Sequence, residues 1–105
     1  ARRFNQPLGN WNVGLVTNMS RMFQGAESFN QPLNDWNVGQ VTSMLSMFQS
    51  ATSFNQPLHN WNVSKVKSFK LMFRGATSFS YSIAAWNISP EADTTGMQQQ
   101  QTTAG

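Results

Sequence analysis

Large apolar residues return along this chain at a fixed interval of 25 positions. Phe4, Phe29, Phe54 and Phe79 fall in one register and Trp11, Trp36, Trp61 and Trp86 in another, with Asn12, Asn37, Asn62 and Asn87 beside the tryptophans. The phrase Phe-Asn-Gln-Pro-Leu opens the copies at Phe4, Phe29 and Phe54 and decays to Phe79-Ser80-Tyr81-Ser82-Ile83 in the last. A period of this length predicts stacked supersecondary units that bury their apolar sides only against one another.

Within a copy, Trp36-Asn37-Val38 alternates apolar, polar and β-branched, the pattern of a short strand with one buried face. Stacking it with Trp11-Asn12-Val13, Trp61-Asn62-Val63 and Trp86-Asn87-Ile88 predicts a parallel ladder with rungs about 4.8 Å apart, asparagines outward. Gly14, Gly39, Ser64 or Ser89 follows, and then apolar residues at Val41, Met44, Met47, Phe48 and Ala51. Those offsets fit one face of a short helix, with Thr17 and Thr42 as N-caps and Gly25, Ser50 and Gly75 near its end. The Pro-containing phrase then cannot continue a helix and serves as the return loop.

The expected fold class is therefore α/β: a solenoid with a short parallel β-ladder on one side and short helices on the other. Residues 1–89 form it, in units beginning at Phe4, Phe29, Phe54 and Phe79. Residues 90–105 open with Ser89-Pro90-Glu91-Ala92, a good helix start, but carry Gln98 and Gln101 where Phe73 and Ala76 stand one copy earlier. They are expected to form a polar C-terminal cap or a disordered tail.

Composition narrows the chemistry. Only 10% of residues are charged, the formal net charge is +3 and cysteine is absent. A disulfide framework, a thiolate metal site and a thiol nucleophile are thereby excluded. His59 is the single histidine, so a triad or a three-ligand metal site would need residues that are missing. The expectation is a protein that is not an enzyme and takes no cofactor or metal. No apolar run reaches the length needed to span a bilayer, and no signal-peptide pattern opens the chain, which begins with Ala rather than Met.

The combined motif Phe-Asn-Gln-Pro-Leu-x-x-Trp-Asn-Val-x-x-Val-Thr-x-Met-x-x-Met-Phe-x-x-Ala, whole at Phe29 to Ala51, resembles the BspA-like leucine-rich-repeat surface proteins. The resemblance spans about Phe4 to Ser89. It implies a leucine-rich-repeat-like solenoid and an extracellular or cell-surface address, with adhesion as the proposed role. It brings no catalytic residues.

Several candidate sites remain. Asn12, Asn37, Asn62 and Asn87 form a possible polar binding ladder, although amide-to-amide bonding along the stack is the preferred reading. Glycosylation sequons stand at Asn18, Asn62 and Asn87, of which Asn18 is the best placed. Lys65, Lys67, Lys70 and Arg74 cluster in the third unit and could meet an anionic polymer, although a solvated face is the plainer reading. The tryptophans and phenylalanines resemble stacking residues for bases or sugars until their period assigns them to the core. Phe4, Leu8, Trp86, Ile88 and Met97 mark uncovered ends able to take part in assembly.

The leading functional expectation is a non-enzymatic extracellular surface repeat module for adhesion or protein or glycan interaction. The alternative is a structural subunit polymerising head to tail into a filament through exposed solenoid ends. Partners are a protein or glycan surface, or copies of the chain end to end, with nucleic acid disfavoured.

Overall fold

The computed structural model describes residues 3–97. Its unit is a 25-residue layer made almost entirely of tight turns. In the second layer, Trp36 N–H donates to the Leu33 carbonyl and Val41 N–H to the Val38 carbonyl, both at 3.0 Å. A run of overlapping turns follows, in which Met47, Gln49, Ala51 and Phe54 each donate to the carbonyl three residues back. The i to i+3 spacing rules out an α-helix, whose N–H groups bond four residues back, and the alternation of partners rules out a continuous 3₁₀ helix.

The N–H groups between those turn donors leave the layer. Met44, Ser46, Phe48 and Ser50 donate to Ser68, Lys70, Met72 and Arg74 in the next layer, at 2.8 to 2.9 Å. Met19, Arg21, Phe23 and Gly25 do the same toward the second layer, and Phe69, Leu71 and Phe73 toward Asp93, Thr95 and Met97. Such a path needs left-handed backbone at regular places. Arg21, Ser46, Leu71 and Gly96 share one such register, with φ of 62°, 55°, 59° and 63°. Gly25, Ser50 and Gly75 share the second, at 72°, 62° and 76°.

These bonds overturn the expected α/β class. Among the described residues there is no helix, and strand pairing is reduced to isolated parallel bridges at Asn18 with Ser43, Ser43 with Ser68 and Ser68 with Asp93. The result is a compact body of 36 × 35 × 19 Å instead of a leucine-rich-repeat-like solenoid with helices facing a β-ladder. The bridges lie in the segment expected to be helical, and Trp-Asn-Val, expected to form the ladder, carries none of them. Thr17 and Thr42 cap nothing: Thr42 N–H and Oγ1 both donate to the Thr17 carbonyl, at 2.7 and 3.1 Å.

Packing explains why turns replace the helices. Helix axes pack about 8 to 10 Å apart, whereas copies paired by backbone hydrogen bonds sit about 4.8 Å apart. The same closeness lets identical rings stack. Phe48 lies 5.4 Å from Phe23 and 5.6 Å from Phe73, while Phe54 lies 6.0 Å from both Phe29 and Phe79. Within the layer Phe48 and Phe54 pair at 4.2 Å, so two phenylalanine columns run side by side through the core.

The apolar pattern was otherwise read to the correct face. Val41, Met44, Met47, Phe48 and Ala51 are all buried, as are Trp36, Val38, Leu33 and Phe54. The tryptophan occupies its place through a bond no strand would make. The indole N–H of Trp36, Trp61 and Trp86 donates to the carbonyl of Leu8, Leu33 and Leu58 in the preceding layer, at 2.9, 2.8 and 2.8 Å. Residues 90–97 pair with the third layer: Ala92 N–H closes a turn onto Ser89, and Met97 is buried. The expected polar stretch from Gln98 onward lies outside the described residues.

Candidate functional site

The polar surface carries two asparagine columns with different jobs. In the column expected to be a ladder, Asn12, Asn37 and Asn62 are exposed, and each closes its own turn by accepting from the N–H two residues on. Gly14 and Gly39 donate at 3.0 Å and Ser64 at 3.1 Å. Asn87 is exposed in the same register. The bonds between layers are made instead by the asparagine of Phe-Asn-Gln-Pro-Leu. Asn30 N–H donates to Asn5 Oδ1 and Asn55 N–H to Asn30 Oδ1, both at 2.9 Å, and Ser80 N–H to Asn55 Oδ1 at 3.0 Å. Gln31 and Gln56 Nε2 reinforce the first two of these acceptors at 3.0 Å. The sequence signal for this column is the recurrence of Phe-Asn-Gln-Pro-Leu itself, a phrase whose proline points only to a return loop.

The three sequon asparagines, Asn18, Asn62 and Asn87, are exposed. Asn18 also sits at a bridge to Ser43, with its Oδ1 accepting from Ser20 N–H at 2.8 Å.

The basic cluster divides between two settings. Lys65 and Lys67 border a hollow of about 490 Å³ that spans three layers. Buried Val66 and half-buried Ala92 line its floor, and Thr42, Ser64, Ser89 and Glu91 its rim. Lys65 is held in place by donating to Gln40 Oε1 at 2.9 Å. Lys70 faces Asp93, whose carboxyl is held below its ordinary value by the Thr95 hydroxyl and then the Thr95 N–H, with a smaller contribution from the Lys70 charge. The tryptophans and phenylalanines are buried core residues apart from Phe4, which is half-buried, and Trp11, which is 55% exposed.

Trp11 marks the first layer's outer face. Phe4, Leu8, Trp11, Met22 and Phe23 line a hollow of about 280 Å³ there. At the opposite end, Trp86 and Met97 are buried, Ile88 is half-buried and Tyr81 is 47% exposed. Of the expected assembly residues, the structure leaves Phe4 partly open and buries Leu8.

Among the described residues there is no cluster of three or more His, Cys, Asp or Glu, and no helix long and apolar enough to cross a membrane. His59 is exposed.

A layered repeat protein with a ring-filled interior and a polar, periodic exterior is the class these features define. Residues 1–104 match the family described as "Mycoplasma protein of unknown function, DUF285", and the chain belongs to it. No curated protein and no solved structure matches the chain.

Proposed function

We propose that this chain is a non-enzymatic surface repeat module, extracellular or exposed at the cell surface, that contacts protein or glycan surfaces. The observation that carries this reading is the periodic exterior. Asn5, Asn30 and Asn55 tie one side of the body, and the exposed Asn12, Asn37, Asn62 and Asn87 repeat on another, so a ligand with its own repeat meets equivalent groups layer after layer. Membership of a repeat family and the likeness of the Phe29 to Ala51 motif to BspA-like surface proteins support the same reading. Antibody labelling of intact cells of the source organism tests it. Labelling before permeabilisation is expected; labelling only afterwards would sink the surface address.

A second reading, head-to-tail assembly between copies, is favoured by Trp11. Its buried counterparts Trp36, Trp61 and Trp86 each reach a carbonyl in the layer before them, and the carbonyls of Leu8, Leu33 and Leu58 accept both that indole and their own layer's Trp N–H. Ile83, next in the series, accepts from Trp86 N–H at 3.0 Å and from no indole among the described residues. A second copy placing its Trp11 indole on Ile83 would extend the stack by its existing rule, through a heterologous contact that does not close. Sedimentation velocity across a concentration series distinguishes the readings. Growing particles that revert to monomer in Trp11→Ala support assembly, and a concentration-independent monomer removes it.

A further inference from the structure

We infer that the hollow bordered by Lys65 and Lys67 binds an acidic carbohydrate, a glycan carrying carboxylate or sulfate groups. The inference rests on the surface-module reading above and names the ligand of that surface.

The argument starts from the shape. At about 490 Å³ the hollow is large enough for more than a bound ion, and it crosses the second, third and fourth layers instead of following one. Its floor at Val66 and Ala92 is apolar, which suits the C–H face of a pyranose ring. Its rim presents hydroxyls from three layers, Thr42, Ser64 and Ser89, and hydroxyls both donate to and accept from sugar hydroxyls. The charge comes from Lys65 and Lys67. Buried Val66 stands between them in the chain, and both lysines border the hollow. Glu91 is the acidic group on the rim, and its carboxylate can accept hydrogen bonds from sugar hydroxyls.

This combination selects among anions. A free phosphate would leave the apolar floor unused. A nucleic acid would be held by its backbone charge and stacked on exposed rings, but no aromatic residue lines this hollow. The two lysines also occur only in the third layer: their counterparts are Leu15 and Thr17 in the first and Gln40 and Thr42 in the second. The body therefore carries one such site, set into an otherwise periodic surface. Because Lys65 is already held by Gln40, binding orders one long side chain fewer.

Isothermal titration of the full chain tests the inference with four probes: a sulfated disaccharide-repeat oligosaccharide, a uronic-acid oligosaccharide, a neutral oligosaccharide of equal length and a single-stranded oligonucleotide. At least one acidic oligosaccharide is expected to bind. Its affinity should fall as salt rises, and fall at least tenfold in Lys65→Gln/Lys67→Gln, with binding kept in Lys65→Arg/Lys67→Arg and in Arg74→Gln. Absence of binding to both acidic oligosaccharides, equal binding of the neutral one, equal binding of the oligonucleotide, or unchanged affinity in the double glutamine variant would each overturn it. Antibody labelling of intact cells reads the surface address separately. A labelled protein without glycan binding defeats this inference alone, and a protein that labels only after permeabilisation defeats the reading beneath it.

Discussion

Trp61 donates its indole N–H to the Leu33 carbonyl across 28 residues of chain, at 2.8 Å, and lies 6.1 Å from Trp86 in the next layer. One side chain thus joins three layers. Replacing Trp61 with Phe is expected to remove the bond while leaving the Trp36 N–H on Leu33, at a cost of about 1 kcal/mol. Trp61→Ala adds a cavity and should cost about 3 to 5 kcal/mol. Trp11→Ala, at an exposed site, should stay within about 0.5 kcal/mol of the parent in the same urea titrations.

The left-handed positions predict substitutions of opposite sign. Ser50 pays the steric penalty of φ 62° where Gly25 and Gly75 avoid it. Ser50→Gly relieves a penalty of about 1 to 2 kcal/mol against a smaller loss of chain entropy, so it should raise stability by roughly 0.5 kcal/mol. Gly75→Ala introduces that penalty and sets a Cβ 3.2 Å from Ser50 Oγ, so its melting temperature should fall.

Asn55 offers a local readout. Its Oδ1 accepts from Ser80 N–H and Oγ, at 3.0 and 3.2 Å. Asn55→Ala is expected to cost about 1 kcal/mol and to speed hydrogen exchange at the Ser80 amide. Asn87→Ala should leave that amide's exchange unchanged.

Asp93 sets a pH dependence. Its folded pKa lies below the ordinary 3.8, so its contribution to stability is complete above that value and fades as pH falls through the lower folded one. Asp93→Asn should flatten the acid limb of melting temperature against pH below about pH 4 and leave the slope near neutrality unchanged.

The period and the inward set of residues were readable from residue order, because both depend on which side chains recur. The path of the backbone was not. Val41, Met44, Met47, Phe48 and Ala51 fall on one side of a helix, and they fall equally on one side of a run of overlapping turns in which alternate N–H groups leave for the next layer. The discriminating residue is the left-handed one. Gly25 and Gly75 suggest helix ends but are left-handed turn positions with no helix before them, and Arg21, Ser46 and Leu71 adopt left-handed backbone without glycine, which nothing in those side chains announces. The asparagines misled for a related reason. Beside Gly or Ser two residues on, the amide of Asn12, Asn37 or Asn62 finds a local N–H sooner than a neighbouring layer. The groove at Lys65 and Lys67 depended on Ser89, Glu91 and Ala92 one layer away, so the basic cluster alone gave no concavity.

The bonds between layers have a kinetic consequence. Each joins residues 23 to 28 apart, so every one must close a loop of nearly the same length, and no layer has a helix or hairpin to form in advance. The first pairing of two layers closes its loop before any ring column exists to offset the entropy lost. After that, each added layer closes one more loop against a finished surface. Folding should therefore be slow to begin and quick to extend, with the central layers as the nucleus and the outer ones joining last.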